Sequence, residues 1–154
     1  MTMHLYDRSS RTLAYANLDL VLRQAVERHA EERLLGAVAP VAGVDTRSVS
    51  LKRRGLFHRG EPEHRTIGLL LPHALIVLTA GAERGVVVKS TRLADIAAIQ
   101  REDPRLVIDT GVSVQARWDG GRAASWFLAL GDDPAGRAFH ETLHGAVVAA
   151  RQSG

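Results

Sequence analysis

Cysteine is absent from this chain of 154 residues. Its absence excludes a disulfide scaffold, thiolate ligands for zinc and a thiol nucleophile, and it fits a reducing compartment. Long apolar segments are also missing, because the longest one, at 67–81, is interrupted by Pro72 and His73 and falls short of the roughly 20 residues that span a bilayer. The N-terminal residues lack the apolar core of a signal peptide. We therefore expect a cytoplasmic protein with no transmembrane segment.

Aromatic residues and lysine are scarce. Aromatic residues make up 5% of the chain, and arginine carries nearly all of the positive charge, which leaves a net charge of +3 at pH 7 and an isoelectric point near 9.9. An excess this small predicts no nucleic-acid partner. Trp118 and Trp126 could stack on bases, but aromatic residues on the two strands of a hairpin more often pack together. We expect packing.

The N-terminal part contains one predicted helix. Residues 1–16 are polar and irregular, which predicts a loose arm. Asn17 is a favourable N-cap for the amphipathic segment that follows, and Gly36 is a suitable stop. One helical face collects the following side chains: Leu18, Val21, Leu22, Ala25, His29 and Ala30. The length predicts one globular unit, in which the arm and helix occupy 1–35 and a second part occupies 36–154.

From residue 37 onward the hydrophobic period changes to two, which predicts strands. Short apolar runs between turn residues indicate these strands: 37–43, 48–57, 66–71, 74–79, 85–90, 93–100, 106–118 and 122–130. The stretch 66–100 is typical of the buried middle of an antiparallel sheet. The clearest alternation is at 106–118, and Asp119-Gly120-Gly121 follows it as a hairpin turn.

The end of the chain combines that hairpin with a second helix. A two-residue loop turns the odd-numbered side chains of 122–130 inward, whereas a three-residue loop turns the even-numbered ones inward, Trp126 and Leu128 among them. We prefer the second register because it buries more apolar surface. Asp132 or Asp133 is a suitable N-cap for the helix, and Pro134 fits its first turn. The helix has one apolar stripe: Ala135, Ala138, Phe139, Thr142, Leu143, Ala146, Val147 and Ala150.

A helix, a long antiparallel segment and a C-terminal amphipathic helix together predict an α+β fold. From about residue 34 the chain resembles the bacterial pleckstrin-homology-like (PH-like) domain family. GLLLPHALIVLT at 68–79, STRLADIAAIQ at 90–100 with its Asp95-Ile96 step, and RWDGGRAASWFLAL at 117–130 carry the resemblance. It implies a bent antiparallel barrel or sheet of about seven strands, capped by the C-terminal helix, with the N-terminal helix as an addition. Most members of the family are binding and assembly modules, and the resemblance implies no catalytic residues.

One motif is typical of zinc peptidases. His140-Glu141-Thr142-Leu143-His144 matches H-E-x-x-H, which on a helix places two histidines one turn apart to hold zinc while the glutamate activates water. However, no His, Asp or Glu follows His144 to supply a third ligand. Both histidines also lie roughly 120–160° around the helix from the apolar stripe, so we expect them to point into solvent. The missing ligand and the outward direction favour a solvated helix face, with no metal and no cofactor.

A basic stretch at 51–65 is the second candidate site. It contains Lys52, Arg53, Arg54, His58, Arg59 and Arg65, together with His64, Glu61 and Glu63. Gly55, Gly60 and Pro62 predict a loop. The PH-like resemblance implies that a basic loop near the barrel mouth can bind the phosphates of anionic lipid headgroups, a task that suits the planar fork of arginine donors. The alternatives are a solvated turn and a contact with an acidic protein.

These observations predict a non-enzymatic PH-like module that acts through protein–protein contacts or self-association. The alternative is a binder of anionic lipid or another phosphate ligand through residues 51–65. A second alternative is a zinc hydrolase that uses His140, Glu141 and His144.

Overall fold

The computed structural model describes residues 6–50, 63–101 and 110–153. In chain order these residues form β1 (Tyr6–Thr12), α1 (Leu20–Glu32), β2 (Ala42–Ser50), β3 (Glu63–Leu70), β4 (Ala74–Gly81), β5 (Gly85–Arg92), β6 (Ile96–Arg101), β7 (Gly111–Arg117), β8 (Ala123–Ala129) and α2 (Pro134–Gln152). Short 3₁₀ turns lie at Tyr15–Asn17, Leu93–Asp95 and Trp118–Gly120.

The strands form two antiparallel sheets, one in the order β1-β2-β3-β4-β5 and one in the order β6-β7-β8. The predicted α+β class is confirmed. Of the expected bent barrel or sheet of about seven strands, the structure shows two separate antiparallel sheets and not a closed barrel. The 3₁₀ turn Leu93–Asp95 carries the chain from the edge strand β5 into the second sheet. Within the part of the chain that the structure describes, no ladder joins the two sheets, so their edges stay separate.

The five-stranded sheet is buried on both faces at its centre. On one face Ile67, Leu69 and Ile76 pack with α1. On the other face Leu70 and Leu75 pack with the three-stranded sheet and with α2. Successive side chains of a strand point to opposite faces, so a strand covered on both sides is apolar at every position. This burial explains the continuous apolar runs of β3 and β4 and confirms the predicted buried middle for these two strands. The prediction is wrong for the run 85–88, which lies on the edge strand β5 with Val86 and Val87 exposed.

The predicted loose arm is wrong for residues 6–12. β1 pairs with β2 along its whole length, from Tyr6 opposite Ser50 to Thr12 opposite Val44. Its outer edge meets the start of α2, where the backbone N–H of Ser10 donates to Asp133 Oδ2 at 2.7 Å. β1 is therefore held by backbone pairing and polar contacts, and its sequence, YDRSSRT, carries no apolar alternation that would have revealed it.

α1 begins later than predicted. Asp19, rather than Asn17, occupies the N-cap position, and its side chain makes no capping bond but instead lies 3.0 Å from Arg65. The buried residues of the helix are Leu22, Val26 and Ala30. Because these residues are spaced four positions apart, Val21 lies on the side of the helix that faces away from the sheet. The periodicity predicts a buried position for Val21, but it is 70% exposed.

Within the described residues, the end of the predicted strand 37–43 and the start of the predicted strand 48–57 belong to the single strand β2 at Ala42–Ser50, and residues 37–41 are not in a strand. The sequence between them, at 44–47, resembles a turn because it contains Asp45 after Gly43. Asp45 lies inside the strand, 3% exposed, because Arg65 on the neighbouring strand binds its carboxylate. Residues 51–57 and 106–109 lie outside the described residues, as do the parts of the predicted strands that fall there.

The preferred register of the last hairpin is confirmed. Val112 pairs with Leu128 and Val114 with Trp126, and these side chains share one core. The rings of Trp118 and Trp126 lie 6.3 Å apart between centroids, and Trp118 Nε1 donates to the carbonyl oxygen of Val114 at 3.3 Å. Both tryptophans therefore serve as packing residues.

α2 lies against the five-stranded sheet with the cap that its sequence predicts. Asp133 Oδ1 accepts a hydrogen bond from the backbone N–H of Gly136 at 2.9 Å, and Pro134 occupies the first turn. The buried face is Gly136, Phe139, Leu143 and Val147, whereas Ala138 and Thr142 of the predicted stripe are exposed. A Cβ atom at Gly68 of β3 would lie 3.0 Å from the Phe139 ring, so the missing side chain lets the helix approach.

Candidate functional site

The H-E-x-x-H residues lie on the outer side of α2. Glu141 and His144 are exposed, but His140 is partly buried, so the expectation that both histidines point into solvent is wrong for His140. Burial, and then the positive charge of Arg101 on β6, lower the pKa of His140 below its usual value of 6.5. Among the described residues, no three His, Asp or Glu side chains are grouped so that they could hold a metal ion.

Most of the basic stretch lies outside the described residues. This applies to Lys52, Arg53, Arg54, His58 and Arg59. Arg65 is described, and it lies in β3 instead of a loop. Its guanidinium donates to Asp45 Oδ2 at 2.8 Å and to Asp19 Oδ2 at 3.0 Å. The hydrogen bond to Asp45 is the largest cause that raises the pKa of Arg65. Arg65 therefore already binds two carboxylates.

An open polar groove of about 550 Å³ surrounds Arg65. Its lining is Ser9, Ser10, Arg11, Asp19, Asp45, Arg47, Glu63 and Arg65. Arg47 lies directly opposite Arg65 across the β2–β3 pair, an arrangement that repels unless carboxylates intervene. Glu63 binds Arg47 through both of its carboxylate oxygens. The three arginines and three acidic residues cancel in charge, so the groove is a network of internal ion pairs and offers no net charge to an ionic ligand.

Three residues that no sequence motif connects meet where α1, β5 and the β7–β8 turn come together. His29 Nε2 lies 2.8 Å from Ser90 Oγ and 3.3 Å from Asp119 Oδ1. The backbone N–H of Ser90 donates to the same Asp119 oxygen at 2.9 Å, and Lys89 Nζ lies 3.4 Å from Asp119 Oδ2. The three elements are far apart in the sequence, so only the tertiary structure shows the cluster.

The cluster contains the residue types of a hydrolase triad but not its geometry. In a triad, one imidazole nitrogen faces the nucleophile and the other faces the carboxylate. Here Nε2 of His29 faces both Ser90 and Asp119, and Ser90 is only 3% exposed. Burial is the largest cause that lowers the pKa of His29, against the opposing charge of Asp119. The cluster therefore fastens three elements together and presents no nucleophile to a substrate.

The outer edge of β5 is divided into a covered half and an open half. At the covered half, Asp119 accepts the outward N–H of Ser90, and Thr91 Oγ1 donates to the carbonyl oxygen of Arg117 at 2.9 Å. Because the N–H of Ser90 points away from β4, the alternation of an antiparallel ladder also points the backbone groups of Val88 and Val86 outward. The side chains of Val86 and Val87 are 44% and 37% exposed.

The opposite edge of the same sheet is covered at its centre. The outward N–H of Ser10 in β1 is bound by Asp133, and Ser10 Oγ accepts the N–H of Gly131 at 2.8 Å. Arg8 of the same strand donates to the carbonyl oxygen of Thr110 at 2.9 Å and lies over the Phe127 ring. The open half of β5, residues Gly85–Val88, thus differs from the centre of β1, because its outward backbone groups lie beside exposed valines instead of beside a covering element.

Comparisons with known proteins find no relative of this chain. No protein-family model, no curated protein and no solved structure matches the chain. Across residues 6–50, 63–101 and 110–153, neither helix is both long and apolar enough to cross a lipid bilayer.

Proposed function

We propose that this chain is a non-enzymatic PH-like module that acts through protein–protein contacts at the open half of β5. The observation that carries the proposal is the exposed edge at Gly85–Val88, where outward backbone groups lie beside the two exposed valines Val86 and Val87. An extended segment can add to such an edge as a further strand, with main-chain hydrogen bonds supplying affinity and side-chain contacts supplying specificity. Unprotected edges are otherwise an aggregation risk that proteins avoid.

The order of elements supports the PH-like part of the proposal. β2 to β8 are antiparallel strands in two sheets, and α2 follows them and packs on the first sheet. This order is the one that the sequence resemblance implies, with β1 and α1 as additions. The residue clusters that could suggest catalysis do not have the required geometry, because Ser90 is buried and the imidazole of His29 faces it and Asp119 through one nitrogen.

A photo-crosslinking experiment tests the proposal. A photoreactive residue is placed at Val87 or, as a control, at Val148 of α2, since these side chains are 37% and 38% exposed. The protein is then irradiated in an extract of its source cells, and adducts are identified by mass spectrometry. We expect a defined adduct, with another protein or with a second copy, from position 87 alone. The same adducts from both positions, or none from position 87, would contradict the proposal.

Binding of anionic lipid or another phosphate ligand through residues 51–65 stays a prediction with a separate test. Its support is the concentration of basic residues in that stretch, and near an anionic membrane each is worth about 1 kcal/mol. Replacing Lys52, Arg53, Arg54 and Arg59 with glutamine should then abolish sedimentation with phosphatidylserine vesicles, and salt should weaken sedimentation of the wild type. If the wild type does not sediment with these vesicles at low salt, the lipid prediction is wrong.

A further inference from the structure

The groove around Arg65 is neutral only while two of its own acidic side chains, Asp19 and Glu63, lie on its arginines. We infer that the groove is an anion site which these two side chains occupy in the absence of a ligand. Its ligand is a small dissolved oxyanion with two or more negative charges, of the chemical class of pyrophosphate. The site is separate from the β5 edge, so the inference does not rest on the proposed function.

The arginines of the groove converge from three neighbouring strands. Arg47 of β2 lies directly opposite Arg65 of β3, and Arg11 of β1 lies opposite Asp45, two positions from Arg47. Directly opposite Cβ atoms are about 5 Å apart in a sheet, and diagonal neighbours about 7–8 Å. Three guanidinium groups at this spacing can bind one small ligand, and their planar forks suit oxygen anions. The exposed residue Ser9, opposite Arg47, adds a hydroxyl group.

The three carboxylates of the groove are not held equally. Asp45 is 3% exposed and binds both Arg11 and Arg65, so it is a fixed part of the sheet. The side chains of Asp19 and Glu63 are 61% and 44% exposed, and exposed ion pairs contribute little free energy. An anion that replaces these two leaves three arginines against Asp45 alone. The exchange therefore gives the groove the net positive charge that retains the anion.

Asp19 has a second position available to it. This residue occupies the N-cap of α1 but makes no capping bond, because its carboxylate lies 3.0 Å from Arg65 Nη1. Aspartate is among the most favourable N-cap residues. When a ligand takes over Arg65, the carboxylate of Asp19 can accept a backbone N–H from the first turn of the helix. This capping bond offsets the loss of the ion pair and makes Asp19 easy to displace.

Removing the competing carboxylates tests the inference. Glu63→Gln and Asp19→Asn each delete one of these charges, and asparagine can still cap α1. Each variant should bind pyrophosphate about two- to fivefold more tightly than the wild type, the change that corresponds to an exposed ion pair. Glu31→Gln makes the same change of net charge at an exposed position near the other end of α1, and it should bind as the wild type does.

Two further variants locate the site. Arg47→Gln removes a guanidinium group that is 61% exposed, so the fold should persist while binding weakens at least about tenfold. The quadruple glutamine variant of the lipid test removes charges of the basic stretch instead and should weaken binding much less. Titration of ¹⁵N-labelled protein with pyrophosphate from about 10 µM to about 10 mM, at constant ionic strength, measures these affinities. The arginine Nε–H resonances report the contact, and circular dichroism checks the fold of each variant.

Tighter binding in both Glu63→Gln and Asp19→Asn than in Glu31→Gln, with its loss in Arg47→Gln, would support the inference. It is overturned if neither the wild type nor Glu63→Gln binds pyrophosphate. It is also overturned if the three acidic variants gain equally, because the gain would then come from net charge. Binding that survives in Arg47→Gln and disappears in the quadruple variant would assign the anion to the basic stretch and exclude the groove. The crosslinking result at position 87 is independent of all these outcomes.

Discussion

The contact between α2 and β3 allows a sharp test of the fold, because Gly68 and Phe139 depend on each other. Phe139 is 4% exposed, and truncating a buried phenylalanine to alanine costs about 3–5 kcal/mol of unfolding free energy. Gly68→Ala would place a Cβ 3.0 Å from Cε1 and Cζ of that ring and 3.2 Å from Val44 Cγ1. Such overpacking costs about 1–3 kcal/mol.

The double variant Gly68→Ala/Phe139→Ala should cost less than the sum of the single variants. Without the ring, the added methyl group meets no Phe139 atom and fills part of the space that the ring leaves. We expect a coupling of at least about 0.5 kcal/mol, the range that contacting residues show. Urea unfolding at a fixed pH, followed by far-ultraviolet circular dichroism, measures all four free energies if the transition is two-state.

A control on the same helix distinguishes this contact from a general effect of alanine. A Cβ at Gly145 would meet no atom within 4 Å, so Gly145→Ala should stabilise the protein by about 0.5–1 kcal/mol through helix propensity. Additive losses at Gly68 and Phe139, within about 0.3 kcal/mol, would show that the ring does not rest on β3 in solution and would refute the packing of α2 described above.

The remaining predictions concern a cap, a buried histidine and the zinc-like motif. Asp133→Ala removes a helix cap and a hydrogen bond to β1 and should lower the free energy of unfolding by about 1–3 kcal/mol. Asp132→Ala removes an exposed ion pair and should lower it by less than about 1 kcal/mol. Equal losses of the two variants in urea unfolding would contradict this prediction. The folded pKa of His29 lies below 6.5, so the unfolded chain binds the proton first, and stability should fall as the pH drops from 6.5 toward that lower pKa. His29→Gln should reduce this fall between pH 7.5 and pH 5.5 (roughly the titration range of histidine), and an unchanged pH profile would contradict the assignment. The double variant His140→Ala/His144→Ala should retain the zinc content of the wild type in elemental analysis, and loss of one zinc per chain would revive the hydrolase prediction.

Patterns of buried apolar residues made much of the architecture predictable. The runs in β3 and β4 identify a sheet centre because a doubly covered strand leaves no polar position. The register of the β7–β8 hairpin followed from the area that Trp126 and Leu128 bury, and the α2 cap followed from Asp133 before Pro134. In each case the interactions that determine the structure are made by residues close together in the sequence or by the residues of one hydrophobic face.

Polar contacts between distant residues were not predictable from the chain alone. β1 has no apolar alternation, because its contacts are polar: the backbone N–H of Ser10 donates to Asp133, and the Ser10 hydroxyl contacts the Thr46 hydroxyl. Asp45 resembles a turn residue in the sequence because its partner Arg65 lies on another strand. The cluster of His29, Ser90 and Asp119 brings together residues from three elements. Which half of the β5 edge stays open is determined by the position of the β7–β8 turn, which covers the other half. Such features require the tertiary structure, since no spacing along the sequence encodes them.

The bond between β1 and the start of α2 has a consequence for the order of folding during synthesis. Ser10 and Asp133 are separated by 123 residues, so the ribosome has made most of the chain before the edge of β1 can be covered. β1 can pair with β2 early, but until α2 emerges its outer N–H groups face water or any neighbouring strand. Contacts of such long sequence separation form slowly, and unpaired edges of incomplete chains promote aggregation. Chains truncated before Asp133 should therefore need more chaperone assistance than the complete protein, because one carboxylate near the C-terminal end protects a strand near the N-terminal end.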